Sequence, residues 1–285
     1  MFIKIFFGKA NKQILIIFFS ENKAGKEIFW NLICSFTEMV TWHIGCSGFY
    51  YKHWKELFYP KDVPQRLWFE YYCRHFDTLE LNVTFYRFPQ VSMMTNWYKK
   101  SPDDFLFSVK APRAITHYKK LNGCERLLSD FYNTVEEGLK EKTGCILFQF
   151  PPKYSFTQER LDKIISNLDP RFPNVVEFRH SSWWNDEVYM SLGKNKISFS
   201  GMSHPQLPDQ IVENTNLLYY RMHGVPQLYQ SPYTVSDLKK MVKTIKSSKI
   251  TKTAFIYFNN DIGGNAIKNA KEMMEIVSRN LKNQR

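Results

Sequence analysis

The chain has 285 residues, 44% of them hydrophobic and 16% aromatic, which suffices for a sizeable core in one large domain or two small ones. A formal net charge of +12 and a pI near 9.3 suit anionic partners (nucleic acid, phosphorylated small molecules or a membrane surface) and equally a Lys-rich solvated exterior; no long block of like charges is present, so no polybasic tail is evident. The five cysteines, Cys34, Cys46, Cys73, Cys124 and Cys145, are odd in number, irregularly spaced and without a C-x-x-C pair, which excludes a disulfide framework and a thiolate zinc site and suits a reducing cytoplasm.

Residues 1–38 differ from the rest. They hold the apolar runs FIKIFF and ILIIFF, separated by Lys and Asn. Neither approaches the roughly 20 apolar residues that span a bilayer. Lys9 and Lys12 precede the second run as in a signal peptide, but the Ser-Glu-Asn-Lys that follows is a poor cleavage region. Met39 opens a well-patterned segment, MVTWHIGCSG, so residues 1–38 are expected to be an upstream extension outside the fold, and residues 39–285 the folded domain.

From Met39 onward, strands are predicted over 41–46, 78–82, 105–110, 145–150, 175–179, 196–200, 217–223 and 253–259. Helix-like periodicity falls between most of them: over 66–76, 125–142, 158–168, 236–247 and 264–281. The longest loops, 48–65 and 84–104, come early and are rich in aromatics. Strands alternating with helices imply an α/β fold with a parallel sheet. Eight such units in about 250 residues match a single-domain (β/α)8 TIM barrel. A doubly wound sheet is the alternative, but no G-x-G-x-x-G follows any strand.

Chemistry in such barrels gathers at the carboxyl ends of the strands. Taken in order, those ends carry Cys46 and Ser47; Glu80 and Asn82; Lys110 and then Arg113; Gln149; Glu177, Arg179 and His180; Ser198 and Ser200; Arg221 and His223; Asn259 and Asn260. A packed barrel interior favours Val, Ile and Leu, so this ring of polar groups points to a site. The stretch NVVEFRHSSWW, residues 174–184, is its centre. Glu177 and Arg179 share a parity and therefore a face, and burying both is costly without partners or a ligand. A closed structural Glu–Arg network is the simpler alternative. His117, in AITHYKKL, is expected at the rim, whereas His43, His53, His75 and His204 are expected to be structural or superficial. Gly263 and Gly264, just before a helix, offer backbone N–H groups to a phosphate, or else form a plain turn.

The residues also carry a family pattern. The stretches IGCSGF, FYP, LELNVTFYRFP, FSVKAPRAITH, LFQFPP, VEFRHSSW, YYRMHG and YFNND resemble the YecE-like family, domain of unknown function 72, over about residues 42–276. The resemblance implies a TIM barrel and leaves the reaction open; a metal-dependent phosphodiesterase or DNA-repair role is an analogy at the level of fold. The chain departs from the pattern at Cys46 (often Thr), Phe49 (often Trp) and Glu56 (often Gly), and its SFSGMSHP run lacks the Asp often found after the sixth strand.

These residues together predict an enzyme acting on a phosphorylated or otherwise anionic compound. Phosphodiester hydrolysis is the first reaction class, with isomerase or lyase chemistry close behind. Glu177 is the expected acid/base or metal-binding carboxylate, with Glu80 its partner. His223 is the expected proton carrier or ligand. Lys110, Arg179 and Arg221 are expected to bind the anion, with Arg113 and His117 nearby, while Asn82, Gln149 and Asn259 orient the substrate. No H-x-H or H-E-x-x-H occurs, so a divalent metal would need ligands from separate strands, such as Glu80, Glu177 and His223. The competing class is a non-catalytic binder of nucleic acid or a nucleotide. It would use the same basic face and stack bases on Tyr50, Trp54, Phe58, Tyr59, Phe85 or Tyr86, although the simpler reading of these aromatics is packing that covers the barrel mouth.

Overall fold

The computed structural model of the chain describes residues 2–7, 14–21, 27–34 and 39–282. The chain divides into two compact units, Met1–Met39 and Val40–Arg285. In the first, β1 (Phe2–Phe7), β2 (Ile14–Glu21) and β3 (Glu27–Cys34) pair antiparallel in that order.

The second unit is a closed barrel of eight strands: β4 (Thr41–Ser47), β5 (Thr78–Leu81), β6 (Leu106–Lys110), β7 (Thr143–Gln149), β8 (Asn174–Glu177), β9 (Ser198–Ser203), β10 (Leu217–Met222) and β11 (Thr253–Phe258). Each pairs in parallel with the next, and β11 closes on β4. Every predicted strand is present. The largest shift is in β9, predicted over 196–200. Lys196 has a left-handed φ of 58° and belongs to the turn. The small residues after Phe199 stay in the strand because β10 pairs with them as far as Met222 against Ser203.

The helices are α1 (Trp68–Cys73), α2 (Val83–Tyr86), α3 (Val91–Lys100), α4 (Glu125–Leu139), α5 (Gln158–Asn167), α6 (Asp186–Lys194), α7 (Val235–Lys246) and α8 (Asn265–Lys282). They separate the strands except between β9 and β10, where the described chain holds no helix. Periodicity locates α4, α5, α7 and α8, whose apolar stripes pack on the barrel; Leu238, Met241, Val242 and Ile245 of α7 are buried, for example. The loop predicted over 84–104 contains α3, and α6 was likewise not predicted. Asn185 caps α6, its side chain accepting from the Val188 amide at 3.0 Å. Among the described residues no helix is long and apolar enough to cross a membrane.

Two apolar regions hold the fold. The larger lies between strands and helices. The smaller fills the barrel interior with Cys145, Leu147, Val175, Tyr219, Phe255 and Tyr257. The interior changes character along the strands. Inward parity on β10 runs Leu217, Tyr219, Arg221, then His223 beyond its end, and on β8 it runs Val175, Glu177, then Arg179. The apolar layer is therefore topped by a charged one at the carboxyl ends. Between them, the Tyr257 hydroxyl lies 2.5 Å from Thr78 Oγ1 and 2.8 Å from Ser108 Oγ, tying β11 to β5 and β6. A Cβ on Gly45 would lie 2.3 Å from the Thr78 carbonyl oxygen, and Glu56 has a φ of 67°, the left-handed region that favours glycine.

Candidate functional site

Arg221, only 1% exposed, is the hub of the charged layer. Its Nη2 donates to Glu80 Oε1 at 2.6 Å and its Nη1 to Glu177 Oε2 at 2.8 Å, so one guanidinium bridges carboxylates from β5 and β8. Ser47, at the end of β4, accepts from Arg221 Nη2 at 2.9 Å and from Asn82 Nδ2 at 2.8 Å, and donates to Glu80 Oε1. The Tyr219 hydroxyl donates to Glu80 Oε2 at 2.7 Å. Glu80 is thus fully hydrogen-bonded by side chains of β4 and β10. The two carboxylates meet across Arg221, not across an open substrate space.

Arg179 holds the other side of Glu177, its Nε donating to Oε1 at 2.7 Å. Its Nη2 lies 3.0 Å from His223 Nε2. On the other side of the ring Asn259 Nδ2 lies 3.0 Å from His223 Nδ1, so both ring nitrogens face side-chain N–H groups. Burial alone would raise the Glu177 carboxyl, but Arg179, Arg221 and His223 outweigh it and hold Glu177 well below the usual carboxylate range. Burial, reinforced by Arg179 and Arg221, holds His223 well below the usual imidazole range. His223 therefore acts as a neutral hydrogen-bond acceptor near pH 7; the ordinary imidazole pKa that suggested proton transfer does not apply. For Arg221, burial opposes charge, but Glu177 and Glu80 prevail and raise its proton affinity.

Lys110, at the end of β6, is 8% exposed. Its Nζ sits 4.4 Å above the centre of the Phe85 ring and makes no hydrogen bond among the described residues. Burial, and then the charge of Arg221, push it down to about 7. His117 meets Phe85 edge to face at 4.9 Å; burial and the nearby Lys110 push it down to about 4. Arg113 lies outside the network. It is exposed, and its guanidinium lies 5.8 Å from the Tyr86 ring centre and 5.5 Å from that of Tyr118.

The charged layer opens on a cleft of about 420 Å³ lined by Gln149, Arg179, His180, His204, Gln206 and Tyr229, among others. His204 thus belongs to the mouth, where sequence placed it among structural or surface histidines; its ring lies 5.9 Å from that of His223. The sequence reading ends this strand at Ser200, whereas β9 runs to Ser203 and makes His204 its strand-end residue. Tyr229 has no strand-end signal. It enters through a left-handed backbone, φ 64°, with its N–H donating to the His223 carbonyl at 2.6 Å. Tyr219 and Ser47 are the other participants, both legible from strand parity.

Other expected features fall elsewhere. Of the loop aromatics, Trp54, Phe58 and Tyr59 are buried packing, Tyr59 stacking on Trp68 at 4.4 Å, whereas Tyr50 and Tyr86 are exposed. Around the Gly263–Gly264 turn, the amides of Ile262, Gly264 and Ala266 donate to the carbonyls of Tyr229, Asp261 and Asn260, leaving little for a phosphate. No three His, Cys, Asp or Glu side chains are grouped to hold a metal ion among the described residues. Glu80 and Glu177 face guanidiniums instead.

A family profile described as "Protein of unknown function DUF72" matches residues 43–285. The chain is 26% identical over 276 residues to the UPF0759 protein YunF of Bacillus subtilis, covering 82% of this chain and 94% of YunF. It is 29% identical over 116 residues to the UPF0759 protein YecE of Escherichia coli K12, covering 40% and 42% of the two chains. Among solved structures, it is similar to a DUF72 family protein of Thermotoga maritima, with 26% identity and a TM-score of 0.76 over 84% of this chain and 99% of the other. A DUF72 family protein of Enterococcus faecalis, 20% identical with a TM-score of 0.71 over 84% and 96%, shares the fold.

Proposed function

The chain belongs to the family of proteins of unknown function DUF72, and from that premise we propose that it is an enzyme for a small anionic substrate bound at the carboxyl ends of the barrel strands. The observation that carries this is the setting of Arg179. Its Nε and Nη2 are engaged by Glu177 and His223, its Nη1 makes no hydrogen bond among the described residues, and it lines the cleft. A cleft of about 420 Å³ suits a small molecule. A guanidinium pinned on one edge can meet a carboxylate or phosphate with little further loss of side-chain freedom. Isomerase or lyase chemistry is favoured over phosphodiester hydrolysis. Both carboxylates are engaged by guanidiniums, and Lys110 is the member of the cluster whose proton affinity, at about 7, suits transfer at neutral pH.

The test is calorimetric titration with inorganic phosphate and with small carboxylates. Saturable binding that weakens about tenfold or more in Arg179→Lys, which keeps charge but loses the fork, is the expected result. Equal binding by both proteins would remove the basis for this site. A second reading, binding of nucleic acid, draws on Arg113 between the exposed rings of Tyr86 and Tyr118. It would be preferred if duplex DNA bound with a steep salt dependence untouched by Arg179→Lys.

A further inference from the structure

We propose that Lys110 is an imine-forming nucleophile, so that the substrates are small aldehydes or ketones bearing a carboxylate or phosphate; this rests on the anionic-substrate reading above. Lys110 is placed as such a group must be. It points inward at a strand carboxyl end, and its carbonyl is fixed by the Thr84 hydroxyl at 2.6 Å. Its Nζ has an aromatic ring 4.4 Å away and no hydrogen-bond partner among the described residues. The charged and titratable groups that act on it are Arg221, Glu177, Glu80 and Arg179, with His117 beside it. Both carboxylates are already bridged or clamped by arginines. An ammonium here therefore gains little from them while it is desolvated and repelled by Arg221. A lysine whose only purpose was to neutralise an anion would be better served by remaining charged; this environment favours the free amine, the form that attacks carbonyl carbon.

The arrangement also separates two tasks. Arg179 lines the cleft and would hold the anionic group, while Lys110, close enough for their charges to act on each other, would meet the carbonyl. The Nζ lone pair adds to the carbonyl carbon, and the C=O π pair moves to oxygen. That oxygen takes up one proton and the nitrogen gives one up. A second proton converts the hydroxyl to water, which leaves as the C=N bond forms. These protons would be exchanged with solvent, because Glu177 is held ionised and His223 and His117 are held neutral. The protonated imine then draws electrons from an adjacent C–H or C–C bond, the step shared by isomerases and lyases of carbonyl compounds. Water is the sole by-product, and no oxidant or reductant is needed.

The experiment is reductive trapping of the full chain at pH 7. Pyruvate, glyoxylate and glyceraldehyde 3-phosphate are each incubated with the protein, borohydride is added, and adducts are mapped by peptide mass spectrometry. Inorganic phosphate binding is measured in parallel on the same wild-type sample. The expected result is an adduct at Lys110 formed about tenfold or more faster than at any other lysine, suppressed by phosphate and absent in Lys110→Arg. The wild-type rate at Lys110 should rise with pH through a midpoint near 7, a check that needs no variant. Phosphate binding without preferential labelling of Lys110 overturns the imine and leaves the anion site standing. Absence of both overturns the two together.

Discussion

At the scale of residues, the decisive fact is that Glu177 answers to two cations. Replacing it by Gln keeps the shape but takes the compensating carboxylate from the nearly buried Arg179 and leaves the buried Arg221 with Glu80 alone. Removing one partner from such a network costs about 3 kcal/mol or more, because the residual charge stays in a poorly solvating interior. Glu177→Gln is therefore expected to lower the urea midpoint as well as abolish activity. The pH dependence has a definite sign. The folded carboxyl titrates well below its unfolded value of about 4.3. Its contribution is therefore fully present above that value and is lost as pH falls toward the folded one. Urea unfolding between pH 3 and 7 should show a steep acid-side loss in the wild type that is shallower in Glu177→Gln. Parallel curves would mean that Glu177 is not the linchpin. Strand parity alone placed Glu80, Glu177, Arg179, Arg221 and His223 on the inward face. It could not say which donors would engage them, because that depends on partners far apart in the chain, such as Arg221 and Glu80.

At the scale of elements, patterned helices were legible and crowded ones were not. α4 has a long apolar stripe and shows in the sequence, whereas α3, VSMMTNWYKK, buries only Met94 and reads as loop. What specifies α3 is its neighbour. Gly138 of α4 lies against Met94 so closely that a Cβ there would fall 2.2 Å from the Met94 Cβ. Two effects oppose one another in Gly138→Ala. Alanine gains about 1 kcal/mol of helix propensity, but overpacking a tight contact costs about 1–3 kcal/mol. At 2.2 Å between two Cβ atoms, neither of which can rotate away, the helices must separate, so the clash prevails. A net loss of about 1 kcal/mol in urea unfolding is expected. Stabilisation would show that α3 yields easily and is held elsewhere.

At the scale of the whole molecule, the barrel is a complete circuit. Each strand from Thr41 to Phe258 has two hydrogen-bonded neighbours within the same unit, and β11 returns to β4 with six paired residues. A closed ring leaves no edge that needs a partner strand, and the interior is filled by side chains of the ring itself. The eightfold alternation that announces this circuit was readable because each turn of it is local in sequence. The closure between β11 and β4 was inferred only from the count. The circuit is made by strands between Thr41 and Phe258, and the chain divides into compact units after Met39. We therefore expect residues 40–285, produced alone, to unfold in urea in one cooperative transition at the midpoint of the full chain, within error. They should also give the same phosphate titration. A lowered midpoint, or loss of phosphate binding with the fold intact, would show that the first unit supports the barrel or its mouth. Unchanged values would place both the stability and the site within the ring.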